Sequence, residues 1–280
     1  WLIPGAYVTN KAMIRGTKLF ISMHGTDVFL INKMGFARRL ARKSLKSATN
    51  LHFVSEALQS IIVQQYGEEN GGGLVLPMVF GLEDFRQSSI GVRDTKRILF
   101  VGRLMEVKGI DVLIKAFSRL LGDERFCDWV LDVVGDGPEL DSLTDLSREM
   151  GVDQNIHSHG SKQRSEIKSF YDQADLFILP SRTTSLGEKE GLGLVILEAM
   201  MSGIPVIGTD CGGIKETIEH GTTGIIVPEN DDVALHGAMV ELLLNSEKRN
   251  ELVQNAHAEI DRKYSLESLT NTMKKWYGVD

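Results

Sequence analysis

Cysteine is almost absent from this sequence of 280 residues, because Cys127 and Cys211 are the only two and they form no C-x-x-C pair. This excludes a disulfide framework and a cysteine-rich zinc site, and it favours a reducing compartment such as the cytoplasm. The sequence also lacks any apolar run of the roughly 18 to 20 residues that a membrane-spanning helix needs. Residues 1–8 do not show a signal-peptide pattern, and the first residue is not Met, so we expect the whole protein to begin further upstream.

Acidic residues are scarce in one part of the chain. Residues 1–55 contain nine Lys or Arg and a single acid, Asp27, for a net charge of +8, whereas the whole chain carries -7. The basic segment 38–46 is predicted to form a weakly amphipathic helix, which is able to bind an anionic membrane surface. A solvated helix face explains the same pattern. We expect no nucleic-acid partner.

Short β-branched runs alternate with stretches of helical periodicity, which predicts an α/β protein with parallel sheets. The predicted strands are 18–23, 51–54, 74–77, 97–103, 129–135, 156–160, 176–180, 205–209 and 223–227. The predicted helices are 38–47, 56–65, 109–121, 139–150, 165–173, 192–202, 232–244, 246–263 and 265–277. The polar stretch 87–95 is the natural linker, which places a domain boundary near residue 90 and a cleft between two units. In open parallel sheets, ligands bind beyond the carboxyl ends of the strands.

Two acids stand out in the stretch from Ser185 to Cys211. Glu190 precedes the glycine-rich segment Gly191-Leu192-Gly193-Leu194, and Glu198 follows inside an apolar run. Eight helical positions span about 12 Å, so the pair is expected to reach both ends of an elongated ligand, with the helix N-terminus between them to bind an anion. Hydroxyls at both ends and phosphate between them describe a nucleotide sugar. The simpler alternative for Glu198 is a buried acid satisfied by an arginine.

Two cations follow the predicted strand 97–103. Arg103 and Lys108 suit a diphosphate, although an exposed loop paired with Glu106 explains them equally well. The sequence Gly135-Asp136-Gly137 after the next strand suggests a dinucleotide fingerprint. Leu140 stands where the third glycine is needed, which argues against an NAD-dependent dehydrogenase.

Three histidines are candidates for chemistry. His24 follows the predicted strand 18–23, which is the usual position of a site residue, although a single histidine is more often structural. His157 and His159 are two positions apart on a predicted strand, so their side chains are expected to point the same way. No further ligand lies near them in the sequence, so no metal site is predicted there. No G-x-S-x-G elbow or Walker loop occurs, which excludes the common hydrolase and kinase patterns.

At these residues the sequence resembles glycosyltransferase family 4, the retaining enzymes of GT-B fold that use nucleotide-sugar donors. The similar strings are FVGRLMEVKGIDVLIKAF, VVGDGPEL, ADLFILPS, EGLGLVILEAMMSGIPVIGTDCGGIKE and TGIIVP. Several motifs in the correct order make this resemblance specific. It implies two Rossmann-like domains that face a cleft. Residues 1–90 would be an incomplete acceptor-side domain, 91–262 the nucleotide-sugar-binding domain, and 263–280 a helix that crosses back.

The resemblance also implies roles by position. Arg103 and Lys108 would neutralise the donor diphosphate, Glu190 would lie by the transferred sugar, Glu198 would hold the ribose hydroxyls, and His24 would lie at the catalytic cleft. The other donor-binding positions implied are Gly102, Gly135, Gly191, Leu192, Gly193 and Leu194. No protein nucleophile, metal or cofactor is implied, because retention is ascribed to same-face attack assisted by the leaving phosphate.

The family members that the sequence resembles most are bacterial enzymes of exopolysaccharide or lipopolysaccharide biosynthesis. We therefore expect a glycan or lipid-linked acceptor, and a cytoplasmic protein that contacts the inner face of the plasma membrane through residues 33–46. Two alternatives are an inactive nucleotide-sugar-binding protein and a sugar-nucleotide epimerase. The glycine-rich loop that the family carries after its first strand has no counterpart here.

Overall fold

The computed structural model describes residues 2–12, 17–25, 28–29, 35–79, 81–87 and 95–279. The strands of this part form two all-parallel sheets. The first sheet consists of β1 (Phe20–Met23), β2 (Asn50–Phe53) and β3 (Leu74–Val75). The second consists of β4 (Arg97–Val101), β5 (Val130–Val134), β6 (Ile156–Ser158), β7 (Leu176–Leu179), β8 (Val206–Thr209) and β9 (Ile225–Val227).

Helices connect and cover the strands, as parallel pairing requires. They are α1 (Tyr7–Ala12), α2 (Gly35–Ser47), α3 (Glu56–Tyr66), α4 (Glu68–Gly71), α5 (Ile110–Leu121), α6 (Leu140–Glu149), α7 (Arg164–Gln173), α8 (Leu194–Met201), α9 (Ile214–Thr217), α10 (Asp232–Leu244), α11 (Ser246–Lys263) and α12 (Leu266–Tyr277). A single π-helical turn, Leu2–Ala6, precedes α1. The short α1, α4 and α9 were not predicted from the periodicity, because four to six residues are too few to show it.

The second sheet has the strand order β6-β5-β4-β7-β8-β9. All four residues of β7 and the last four of β4 are buried, as expected for strands covered on both faces. The order runs outward from β4 to β6 in one direction and from β7 to β9 in the other. The reversal lies between the adjacent strands β4 and β7, and at such a point a crevice opens beyond the carboxyl ends of the strands.

The last helix returns to the first sheet. The rings of Trp276 and Tyr277 in α12 lie with their centroids 5.0 and 4.8 Å from that of Phe20 in β1. The Asn50 side-chain amide donates to the Trp276 carbonyl oxygen at 3.3 Å. The helix begins at Leu266 rather than at residue 263, because α11 continues to Lys263. The expected domain boundary at residue 90 lies outside the described residues.

The strands and the longer helices predicted from sequence are present, with ends shifted by up to three residues. The α/β class with parallel sheets is therefore confirmed. Periodicity locates amphipathic helices because they bury one apolar face, as α5 does with Leu113, Phe117 and Leu120.

Gly109 holds the loop after β4 close to the end of β7. Its φ is +62°, and a Cβ at this position would approach the Pro180 carbonyl oxygen to 2.1 Å. We predict that Gly109→Ala lowers the free energy of unfolding by about 3 kcal/mol, since backbone strain and a steric clash add. The measurement is urea denaturation followed by circular dichroism.

Gly151→Ala is the matched control for this prediction. Gly151 has a similar φ of +68° but no atom within 4 Å of the added Cβ, so it should cost only the strain of about 1 kcal/mol. Equal losses in the two variants would show that the approach to Pro180 does not matter.

Candidate active site

A cavity of about 410 Å³ opens where the two sheets face each other at the carboxyl ends of their strands. Its wall includes the loop after β1, the loop after β4, and the segment that leads into α8. The lining residues are His24, Gly25, Phe29, Val54, Met78, Arg103, Met105, Val107, Lys108 and 188–195. The cavity thus lies at the crevice that the strand order creates beside β4 and β7.

Lys108 and Glu190 form an ion pair in this cavity. Lys108 Nζ donates to Glu190 Oε2 at 2.6 Å, and the Ser181 hydroxyl donates to the same oxygen at 3.0 Å. Burial by itself would raise the pKa of Glu190, but the charge of Lys108 and hydrogen bonds from Lys108, Ser181 and the Gly191 N–H hold it below its usual range. Glu190 is therefore a carboxylate at neutral pH. The alternative of an exposed loop, in which Lys108 pairs with Glu106, is not observed, because the partner of Lys108 is Glu190.

Arg103 lines the same cavity and is exposed. Within the part of the chain that the structure describes, its guanidinium has no ion pair and no hydrogen bond. Arg103 therefore presents a full positive charge to the cavity, close to the ion pair between Lys108 and Glu190. An anionic ligand would be attracted to this charge.

The N-terminus of α8 forms one wall of the cavity. Gly193 adopts a left-handed conformation with φ 79° just before the first helical residue, Leu194. Gly191 lies against the loop after β1, since an added Cβ would come within 2.8 Å of the His24 carbonyl oxygen. Glu190 precedes the helix, so the eight positions from Glu190 to Glu198 are not all helical, and the helical premise of the expected spacing is wrong. Leu192 is buried and Leu194 is 43% exposed at the cavity.

Glu198 does not line the cavity. Its Oε1 accepts a hydrogen bond from Arg164 at 2.7 Å, and its Oε2 accepts one from the Tyr171 hydroxyl at 3.1 Å. Burial raises the pKa of Glu198, and the charge of Arg164 and both hydrogen bonds oppose this effect. The simpler alternative for Glu198, a buried acid satisfied by an arginine, is therefore observed, with Arg164 as the arginine.

Gly102 and Gly135 lie behind the cavity rather than in its wall. A Cβ on Gly135, where φ is +145°, would come within 1.8 Å of the Gly102 carbonyl oxygen. The Gly135 N–H donates to Gly160 O, and the Gly102 N–H donates to Val134 O, both at 2.9 Å. Their backbones hold the ends of β4, β5 and β6 together. The two glycines therefore position the strands from which the cavity-lining loops begin, and they do not line the cavity themselves.

A chain of hydrogen bonds lies behind His24, and it was not predicted from the sequence. The Ser22 hydroxyl is within hydrogen-bond distance of both His24 and His52. Its oxygen lies 2.9 Å from His24 Nε2 and 2.6 Å from His52 Nδ1. His52 Nε2 lies 2.6 Å from Leu76 O, which only accepts, so Nε2 carries the proton and Nδ1 accepts from Ser22. The Ser22 oxygen then accepts from His24 Nε2–H. Burial lowers the pKa of His52, which keeps it neutral.

Glu216 connects the two halves of the molecule. Its two carboxylate oxygens accept from the N–H groups of Glu56 and Ala57 at 2.8 Å each, at the N-terminus of α3. Ser55 completes this cap by accepting from the Leu58 N–H at 3.3 Å. A carboxylate at a helix N-terminus is stabilised by the helix dipole, so this contact favours the observed approach of the two sheets.

Sequence comparison finds a matching family and several related proteins. The sequence model of the family described as glycosyl transferases group 1 matches residues 83–259, more than half of the chain. The chain is 24% identical to N-acetyl-alpha-D-glucosaminyl L-malate synthase of Bacillus anthracis, over 97% of this chain and 70% of that protein. It is 29% identical to the GDP-mannose-dependent alpha-(1-6)-phosphatidylinositol monomannoside mannosyltransferase of Mycobacterium tuberculosis, over 88% of this chain and 66% of that protein.

Among solved structures, the chain is similar to Anabaena HepE in complex with UDP and glucose. The TM-score is 0.82 at 22% identity, over 98% of this chain and 74% of that chain. At this identity the likeness concerns the fold, and it confirms the expected GT-B architecture of two α/β units around a cleft.

The ion pair between Lys108 and Glu190 gives a prediction about stability. The two side chains are only 17% and 13% exposed, so Lys108→Met leaves a buried carboxylate without its cation. We expect a loss of about 3 kcal/mol in the free energy of unfolding. Adding Glu190→Gln to this variant should recover at least half of the loss. Urea denaturation of both single variants and the double variant gives the coupling energy, and a value near zero would contradict the pairing.

Proposed function

Because the chain belongs to the glycosyl transferases group 1 family, we propose that it transfers a sugar from a UDP- or GDP-sugar to a glycan or lipid-linked acceptor, with retention of anomeric configuration. The proposed role is in cell-surface polysaccharide biosynthesis. The observation that carries the proposal is the cavity itself, where the exposed Arg103, the charge of Lys108 and the N-terminus of α8 converge.

The donor diphosphate occupies the cationic part of this cavity. Arg103 binds its oxygens with two N–H groups, and Lys108 exchanges part of its contact with Glu190 for a phosphate oxygen. The free N–H groups at the start of α8 add partial positive charge. These groups together perform the charge neutralisation that a divalent cation supplies elsewhere, so the proposed mechanism uses no metal or other cofactor.

The transferred sugar lies between Glu190 and His24. Glu190, a carboxylate held by Lys108 and Ser181, accepts hydrogen bonds from sugar hydroxyls. His24 is oriented by Ser22, which is itself held by His52. In the transfer step, the acceptor oxygen forms a bond to the anomeric carbon as the bond to the phosphate oxygen breaks, and the acceptor proton goes to the departing diphosphate. Catalysis then depends on position and electrostatics.

Glu198 is proposed to hold the ribose hydroxyls. Since its carboxylate is now bound by Arg164 and Tyr171, donor binding requires that one of these contacts be shared or released. Arg164 is 47% exposed, but it also stacks on the ring of Phe85 at 4.6 Å and donates to the Gly81 carbonyl oxygen at 2.8 Å, so releasing Glu198 would disturb these contacts as well. Glycine is needed at position 191, where the His24 carbonyl oxygen approaches the segment that leads into α8.

A peripheral membrane contact is proposed for α2. Its cationic side chains face solvent while Ala37, Ala41 and Leu45 are buried, and Phe36 is 62% exposed. The exposed cations of α2 are Arg38, Arg39, Arg42, Lys43 and Lys46. In the described part of the chain, no helix is both long and apolar enough to cross a bilayer. A basic helix with an exposed aromatic ring suits the surface of an anionic membrane.

Donor binding and turnover test the proposed function. We expect one class among UDP-, GDP- and ADP-sugars to raise the melting temperature, with NAD as the negative control, because a ligand of the folded state stabilises it. Arg103→Ala should lower turnover by about 100-fold, and Glu198→Ala should weaken the thermal shift. Arg148→Ala, which removes an exposed arginine of α6, should change neither.

Three outcomes would contradict the proposal. These are no thermal shift with any nucleotide sugar, full turnover by Arg103→Ala, or a changed sugar nucleotide in the absence of acceptor, which would indicate an epimerase. Proton NMR of the glycoside product reads the anomeric configuration. Inversion would contradict the same-face mechanism and leave the donor site unaffected.

Liposome sedimentation tests the membrane contact. Arg39→Gln with Lys43→Gln should weaken binding to vesicles rich in anionic lipid by about 20- to 30-fold, since each cation contributes about 1 kcal/mol. The control pair Arg148→Gln with Arg262→Gln changes the net charge equally and should leave binding intact. Equal effects of the two pairs would show that net charge alone is responsible.

A further inference from the structure

Three potential metal ligands lie together at one edge of the six-stranded sheet. Asp132 in β5 is in parallel register with His157 in β6, and His159 follows two residues later on the same side of the sheet. Asp132 Oδ1 lies 2.7 Å from His159 Nε2 and 3.7 Å from His157 Nδ1. The expectation that no further ligand lies near the two histidines is therefore wrong, because Asp132 comes from the neighbouring strand.

We propose that Asp132, His157 and His159 bind a divalent transition-metal ion, with Zn²⁺ as the ion that fits them best. Two imidazole nitrogens and one carboxylate oxygen are a common donor set for this ion. The three ligand atoms already lie within 4.8 Å of one another. Tetrahedral zinc, with bonds of about 2.0 to 2.2 Å, holds its ligand atoms about 3.4 Å apart. Shifts of about 1 Å in these side chains are enough to bind it.

The surroundings orient the ligands as a metal site requires. Asp132 is 4% exposed, and Arg97 Nη1 donates to its other oxygen, Oδ2, at 2.7 Å. Oδ1 is thus left to face the histidines, and the carboxylate is fixed from outside. The His159 ring lies 4.6 Å from that of Phe170, whereas the His157 side chain is 45% exposed. The ion enters from the His157 side, and water completes its coordination there. The positive charge of Arg97 lowers the affinity of the site.

A plain hydrogen bond between Asp132 and His159 explains only part of this arrangement. It leaves His157 without a role, since its Nδ1 remains beyond hydrogen-bond distance of Asp132. A shared ion accounts for all three groups. It would also tie the three-residue edge strand β6 to β5, so binding should stabilise the fold.

This site is separate from the proposed transfer reaction. None of its three residues lines the cavity that holds Arg103 and Lys108. The ion therefore acts on the stability of the sheet edge, and the test needs no assay of turnover.

Binding of ZnCl2 by the full chain is measured by isothermal titration calorimetry, and CoCl2 gives an independent signal through the visible bands of tetrahedral cobalt. We expect one saturable site per chain. His157→Gln should weaken it at least about tenfold and abolish the cobalt bands. Since His157 is a partly exposed side chain, this variant should keep its fold, which circular dichroism verifies. His159→Gln should have the same effect on binding.

Two control variants each remove another potential metal ligand of the chain. His236→Gln removes a histidine on α10, and Cys127→Ser removes the exposed thiol. Both should retain the zinc affinity and the cobalt spectrum. The proposal is overturned if the wild-type chain shows no saturable binding, or if His157→Gln and His159→Gln bind as tightly as wild type. Neither outcome bears on the nucleotide-sugar site.

Discussion

The ion pair between Lys108 and Glu190 is the interaction on which the candidate site depends. Lys108 follows β4 and Glu190 follows β7, and these two strands are neighbours although they are far apart in the chain. Two charged groups so little exposed are tolerated only when each compensates the other. The pair therefore fixes two loops relative to each other and places Arg103 and the start of α8 around one cavity.

Close approaches of backbone complete this arrangement. Gly109 lets the loop after β4 lie on Pro180, and Gly212 lets the loop after β8 lie on the Glu190 carbonyl oxygen, which an added Cβ would approach to 2.1 Å. Across the cleft, Gly191 meets the loop after β1, and Glu216 caps α3. The site is thus assembled from segments of both halves, which meet at Gly191 and at Glu216. A donor that occupies the cavity would add contacts to both halves.

Most of the fold and the cationic part of the site were predictable from sequence. Amphipathic periodicity is a local property, so the long helices and the buried strands were readable, and Arg103, Lys108 and Glu190 stand at strand ends where ligands are expected. The partners of these residues were not predictable, because they arise from strand order. His52 contacts Ser22 through the register of β1 and β2, Arg164 reaches Glu198 from another helix, and Asp132 joins two histidines across β5 and β6. The linear spacing of Glu190 and Glu198 was misleading because α8 begins only at Leu194.

The most direct test of the account is a crystal structure of the chain with UDP or GDP, whichever binds. We predict that the diphosphate lies within hydrogen-bond distance of Arg103 and Lys108 and beside the first N–H groups of α8. A nucleotide bound elsewhere, with the ion pair between Lys108 and Glu190 unchanged and Arg103 still facing solvent, would contradict it.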